Sequence, residues 1–582
     1  MRNGGQQEEE KRFGRRSLDR RSFLRVTGTA GVASTTSMLA GCTGRSEPNV
    51  ESEQVDDQQE NTPAKPQNGG TLRVALQSDP WTLHPHLFQD TSSSQLAENY
   101  GNTLVDVDPE GRFLPDLATK VPKPENGGRK YVFPLRKGVR FHGDYGEMKA
   151  DDVVVNFQKI LDEKYGSPAR ADYEGILVGE GIDPKQSVQA TGEYEVTFNL
   201  AEPYSPLLYK LSDPRTTIVP PEVIEKYGKD LGTPDVGIWA TGPYQFVEAS
   251  PNSQYTFERN PNYFKKDENG QQLPYPDRVV YRIVPESSVT ATQIRTGGIH
   301  IAEYLEARDV SSVKQSGDVS VNSRPGASQI NLYVNQTTFP SLSKKEVRQA
   351  LALASNKQAI IQTKFDGLAS PGHSIFPPWH WAYDEGAVTK YEYDPERARS
   401  LLEQAGETGL QFTCQPTNQP LFVDTASILQ QNLRQIGVDM EITPKEKSAA
   451  WEPVIEAWDP KKFPPKDQVG PPSNFHALLE DITYAFDADG YSYITFHTDA
   501  WLNVSYYSNE QVDTWMENAR KTLDQNEQKR IYSKVQGKIT EDIPQIFQVW
   551  WNVNQGYRNE VQNFRTFPTG ELNLEKVWLR QG

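Results

Sequence analysis

The sequence predicts an α/β fold with mixed sheets, and three observations predict it. Short strands with period-two apolar patterning recur along the chain. Amphipathic helices with legible ends stand between them. No internal repeat of solenoid length replaces that alternation. "TLRVAL" sets Leu72, Val74 and Leu76 on one strand face, and "YEVTFNL" does the same with Tyr194, Val196, Phe198 and Leu200. "DDVVVNFQKILDEKYG" places Val153, Phe157, Ile160 and Leu161 on one helical stripe. In "SLSKKEVRQALALASNKQAI", Ser343 and Glu346 read as a capping box ahead of Val347, Ala350, Leu351 and Ala354. "DPERARSLLEQAG" opens on Asp394 as N-cap with Pro395 at the first helical position, and stops at Gly406, where a left-handed residue costs little. The 41 prolines are spread out, which predicts long ordered loops instead of one linker.

Composition narrows the function. The chain has 582 residues and a net charge of −17, from 61 basic and 78 acidic residues. A nucleic-acid surface is basic and clustered, so no nucleic-acid partner is expected. The acidity fits a salt-adapted surface. With 26 Tyr, 23 Phe and 11 Trp, the chain can fill several large cores. Of its two cysteines, Cys414 sits in the strand-like "GLQFTCQPT" and reads as a small buried residue, and no disulfide framework is expected.

The N-terminal stretch "DRRSFLRVTGTAGVASTTSMLAGCTG" makes poor structure and a good address. Its apolar run from Val26 to Ala40 is shorter than the about 20 residues that span a bilayer, and Gly and hydroxyl residues dilute it. Arg20-Arg21-Ser22-Phe23-Leu24 resembles a twin-arginine export motif, with Asp19 where Ser or Thr is usual. Leu39-Ala40-Gly41-Cys42 resembles a lipobox, which implies cleavage before Cys42 and lipid on its sulfur. Two acyl chains anchor stably where one binds with only about 10⁴ M⁻¹. Residues 43–68 have no aromatic and almost no aliphatic residue, so they read as a disordered tether, on the order of 30 Å root-mean-square in span. The expected location is the outer face of the cell membrane, held by the lipid.

From about Gly69 to the C-terminus, five segments in order resemble the peptide/nickel class (family 5) of extracellular solute-binding proteins that feed ABC transporters. "GVRFHGDYGEMKADDVVVNF" is similar to that family's G-V-x-F-H-D-G and the helix opening after it. "ATGPYQFVEASPNSQYTFERNPNYF" is similar to its G-T-G-P-Y strand and N-P-x-Y turn. "EVRQALALASNKQAII" and "YEYDPERARSLLEQAG" are similar to two of its helices, and "DITYAFDADGYSYITF" to its W-x-x-D-Y-x-D-P motif. The resemblance implies a two-lobed periplasmic-binding-protein-like fold of type II, with a hinge and an extra domain. Residues 1–42 are then the export signal and 43–68 the tether. Lobe I comprises 69–103, 217–322 and 548–582, the extra domain II 104–216, and lobe III 323–547. It implies capture of an oligopeptide or dipeptide between the lobes and delivery to permease subunits, by a monomer. An oligosaccharide, an opine or a metal chelate is the alternative solute.

In this family a lobe III carboxylate holds the ligand's α-amino group. The resemblance carries that role to Asp487, with Tyr484 in place of the family's Trp, and Phe486 and Asp489 beside it. The following Asp-Pro is absent here. The aromatic cluster Trp379, Trp381 and Tyr383 in "PPWHWAYD" reads either as cleft lining or as core, and Trp379 and Trp381 are taken as ligand contacts. No metal and no cofactor are expected. His84-Pro85-His86 has no acid or Cys cluster near it in sequence, and His142 reads as structural. No enzymatic activity is expected either: H-E-x-x-H, G-x-S-x-G and Walker A patterns are absent. The S-x-x-K matches at Ser311–Lys314 and Ser341–Lys344 have no K-T-G partner.

Overall fold

A computed structural model of the chain describes residues 65–447, 449–451, 475–483, 486–500 and 502–581. Arg20, Arg21, Cys42, most of the expected tether and Tyr484 lie outside the described residues. Among the described residues, eleven strands join one mixed sheet. Its order runs Asp439–Ile442, Gln411–Pro416, Ala477–Thr483, Val319–Val334, Gln545–Arg558, Ile301–Ala302, Thr71–Leu76, Arg278–Ile283, Gln254–Arg259 and Tyr244–Ser250. The short strand Ala369–Pro371 pairs off this path with Gln545–Arg558. Thr71–Leu76 runs parallel to both neighbours, with Val74 opposite Tyr281 and Ile301, as does Gln411–Pro416. Their buried side chains alternate with more exposed ones, Thr71 and Arg73 in the first strand and Gln411, Thr413 and Gln415 in the second. Leu72, Val74, Ala75 and Leu76 are buried accordingly, and Cys414 is a free, fully buried thiol.

Two antiparallel strands, Val319–Val334 and Gln545–Arg558, run the length of the sheet and join its two halves. Their register is broken between Pro325 and Gln329 and again between Ile330 and Asn331. Proline cannot donate to the ladder, and backbone crowding meets it there. A Cβ on Gly326 would sit 2.6 Å from the Trp551 carbonyl oxygen.

Separate apolar clusters fill the two halves of the sheet and the segment 104–216. In that segment the helix Ala150–Leu161 lies on a small sheet of Lys130–Pro134, Glu195–Asn199 and Val188–Gly192. Its buried residues include Val153, Phe157, Ile160 and Leu161, the predicted stripe. Phe157 meets Phe198 edge-on at 4.9 Å, and burying one such ring contributes about 1.5–3 kcal/mol.

Helix Pro395–Ala405 has the expected ends: the Asp394 carboxylate accepts from Arg397 N, and Gly406 has φ 67°. Helix Lys345–Ala354 departs from expectation. Pro340 starts a separate turn, Pro340–Ser343, and the Ser343 hydroxyl donates back to Pro340 O at 2.6 Å. Its oxygen therefore does not cap the next helix, where Lys344 stands at the N-cap position without a side-chain capping bond.

Candidate functional site

The residues singled out in "PPWHWAYD" and "AFDADG" come together where the turn 108–112, the long strands and the start of helix Ala488–Phe496 meet. Trp379 Nε1 donates to Gly326 O at 3.0 Å, which fixes the indole at the register break. Its ring stands 5.9 Å from that of Phe486. Trp381 Nε1 donates to Phe486 O at 3.1 Å, and His380 Nε2 meets the same oxygen at 3.0 Å. The His380 Nδ1 accepts from Ala382 N, so Nε2 carries the proton. Burial pushes this imidazole down to about 3, and it stays neutral. In the turn 108–112, Gly111, at φ +80°, brings its backbone so close that a Cβ would lie 2.7 Å from the Phe486 ring.

Asp487 follows directly and has two duties. It is the N-cap of helix Ala488–Phe496, with Oδ1 accepting from Asp489 N at 2.9 Å. Its Oδ2 lies 3.2 Å from Lys210 Nζ, a residue of the short helix Leu207–Leu211 in the 104–216 segment. The same ammonium lies 3.2 Å from Asp172, which Arg215 holds from its other side at 3.0 Å. Arg215 is in turn paired with Asp213 at 2.6 Å. Burial works against the Lys210 ammonium, yet Asp172 and Asp487 hold it well above its ordinary value. Burial likewise opposes the Asp172 carboxylate, which Lys210 and Arg215 keep below the usual range.

Asp489 is the second residue of that helix, with its side chain 1% exposed, 3.1 Å from Arg520 Nε. Burial first, then Asp487, raises its carboxyl to about 6, against the pull of Arg520. The Arg520 guanidinium stacks 3.8 Å over the Tyr493 ring and reaches Tyr204 OH at 3.3 Å. Ser205 N donates to Arg520 O at 2.7 Å and Gln528 Nε2 to Ser205 Oγ at 2.6 Å. A chain of charges thus joins the 104–216 segment to residues 486–528.

Phe486, Asp487, Asp489, Trp379 and Trp381 are therefore neighbours. Lys210, Asp172 and Arg520 escaped the sequence reading. The one available signal was a lone lysine in the apolar run "PLLYKL".

The histidines do other work. His84 Nε2 meets Tyr165 OH at 2.6 Å and His86 Nε2 meets Thr217 O at 3.1 Å. His142 Nε2 meets Gly242 O at 3.0 Å. Among the described residues no three His, Cys, Asp or Glu side chains are grouped as a metal ion requires, and no helix is long and apolar enough to cross a membrane.

The fold defines a class, and the chain belongs to it: it is a member of the bacterial extracellular solute-binding proteins, family 5, whose middle region matches residues 112–474. Over 544 residues, 88% of this chain and 92% of the relative, it is 26% identical to the oligopeptide-binding protein AppA of Bacillus subtilis. It is 28% identical over 517 residues to the di/tripeptide-binding protein 1 of Pseudomonas aeruginosa, covering 84% and 90% of the two chains. Among solved structures, the ABC transporter-associated periplasmic binding protein DppA of Helicobacter pylori, in complex with the peptide STSA, superposes with a TM-score of 0.74. That match covers 88% of this chain and 99% of the other at 24% identity. The relatives are binding proteins.

Proposed function

We propose that this chain is the solute-binding lipoprotein of an ABC importer, that its solute is a peptide, and that it carries out no catalysis. The observation that carries the reading is the pair of strands Val319–Val334 and Gln545–Arg558. They join two halves of one sheet and lose register at Pro325–Gln329, and in this reading the hinge lies there. The relatives named for oligopeptides and di- or tripeptides support the solute class. Residues 69–103, 217–322 and 548–582 form lobe I in this reading, 104–216 the extra domain, and 323–547 lobe III; the separate apolar cores support that division. The solute lies between the lobes, with Trp379, Trp381, Phe486, Asp487 and Asp489 in the wall it meets. Extended peptides bind such clefts through main-chain hydrogen bonds, which tolerate varied side chains. Closure gives the permease subunits a surface that the open form lacks. The protein works as a monomer.

Mass spectrometry of the solute retained by native protein, with melting temperatures in pools of short peptides, tests this. A bound peptide at a hundredfold excess over Kd stabilises by about 2.7 kcal/mol and compacts the protein in small-angle scattering. No retained peptide, together with no thermal shift from any pool, overturns the solute class. The anchor is tested separately. Arg20-Arg21 directs export and Cys42 carries the lipid, so Cys42→Ser is expected to leave the mature chain soluble after a salt wash. Variant protein still in the membrane pellet overturns the lipid anchor.

A further inference from the structure

We propose that Lys210 is the resident cation of Asp487 and a specificity-determining residue: the solute binds without placing an ammonium group on that carboxylate. The inference rests on the peptide reading above and refines it.

Both Asp487 oxygens are already engaged. Oδ1 caps the helix through Asp489 N. Oδ2 is sealed from solvent and makes no aligned hydrogen bond, and Lys210 Nζ at 3.2 Å faces it as a charge. An incoming ammonium would therefore have to expel Lys210 or sit beside it as a like charge. Expulsion is opposed from behind, because Lys210 also neutralises Asp172, and Arg215 and Asp213 lock that carboxylate in place. The short helix that carries Lys210 is itself pinned. Leu207 and Leu211 are fully buried, and Tyr209 packs against Phe113 at 4.5 Å. Arg520 fills the neighbouring position in the same way, at Asp489.

The network holds four carboxylates (Asp172, Asp213, Asp487 and Asp489) and three cations (Lys210, Arg215 and Arg520). The excess negative charge falls on Asp489, which is the most deeply buried of them and takes up a proton near pH 6. Each of the four carboxylates already faces a resident cation, so none stands free for a ligand ammonium. The chemistry that fits this wall is a peptide whose amino end is blocked, or one whose free amino end is solvated elsewhere.

Two measurements test this, one without ligand. Unfolding midpoints of Lys210→Met, Asp487→Asn and the double variant form a cycle. A true pair makes each single change destabilising and the double no worse than the poorer single. Simple addition of the two losses overturns the pairing. The second measurement compares wild type and Lys210→Met by calorimetry on one set of tri- to pentapeptides, free and N-acetylated. Wild type is expected to change affinity by less than about fivefold on acetylation, whereas Lys210→Met favours the free amine by about tenfold or more, because Asp487 then lacks a cation. A loss of about fivefold or more on acetylation in wild type overturns the proposal, and this arm needs no variant to fold. If neither set binds either protein, the peptide reading falls, and the cycle still decides whether Lys210 belongs to Asp487.

Discussion

Lys265 and Lys210 each stand between two carboxylates, and each ties the 104–216 segment to chain that is remote in sequence, yet the two joints are built differently. Lys265 meets Asp116 and Glu575 at 2.8 Å each. Its partners are fully supported: Tyr263 OH donates to Glu575 at 2.6 Å, and Asn102 Nδ2 and Thr103 N donate to Asp116 at 3.0 Å. Around it, His142 with Gly242, the Ser167 hydroxyl donating to His86 O and the reciprocal Asn156–Val219 bonds extend the same seam. At Lys210 the contacts are 3.2 Å, and Asp487 Oδ2 and both Asp489 oxygens lack aligned hydrogen bonds. The ion types are the same; at the lysine itself alignment separates a weld from a docking contact, whose aligned bonds lie to one side, at Ser205 with Arg520 and Gln528. The 104–216 segment is welded to the half of the sheet around Thr71–Leu76 and docked against the other half.

Lys265→Met strands two buried carboxylates and is expected to cost about 3–5 kcal/mol in urea denaturation. Lys521→Met, at the exposed 2.8 Å pair with Glu202 on the rim of the docking contact, is the control and is expected to change stability by less than about 0.5 kcal/mol. A loss below about 1 kcal/mol at Lys265 would show that this joint is no weld.

Acid sharpens the contrast, because the joints respond with opposite sign. Burial holds His142 in the weld down to about 4. Its contribution is therefore whole above the ordinary value near 6.5 and is lost as pH falls from about 6.5 toward 4. Asp489 in the docking contact is raised to about 6, so the folded chain takes up a proton before the unfolded one does. Its cost is present above about 6 and is relieved as pH falls below that. Each effect reaches up to roughly 3 kcal/mol. Subtracting the stability–pH curves of His142→Gln and Asp489→Asn from that of wild type isolates them, and slopes of equal sign would refute the assignment.

Local chemistry was readable from the chain and long-range pairing was not. Leu72, Val74 and Leu76 announced their strand by alternation, and Asp394-Pro395 with Gly406 announced a helix at both ends, because each signal lies within a few residues. Ser343 misled because Pro340, three residues earlier, claims it for another turn. Asp487 stood out only through a family pattern. Its partner Lys210 lies 277 positions away, and no periodicity or spacing encodes such a contact. Arg520 was hidden in the ordinary polar face of "ENARKTL" and acquires meaning only when Tyr493 and Asp489 arrive beside it.

The half of the sheet around Thr71–Leu76 is completed from the far end of the chain. Asn99 Nδ2 donates to Leu572 O at 2.6 Å and its Oδ1 accepts from Leu574 N at 3.0 Å, while Leu572, Leu574 and Val577 share one core with Leu72 and Val74. The ribosome therefore makes the first strand long before it makes the residues that seal it. At about 5–20 residues per second the wait lasts from tens of seconds to more than a minute. The 104–216 segment is continuous and owns its core, so it is able to compact soon after it emerges. The strand before it waits as an open apolar edge, a template for aggregation until residues near 300 and then 556 are synthesised. The newborn chain is thus most exposed at its beginning, and a nascent-chain chaperone has its clearest duty there.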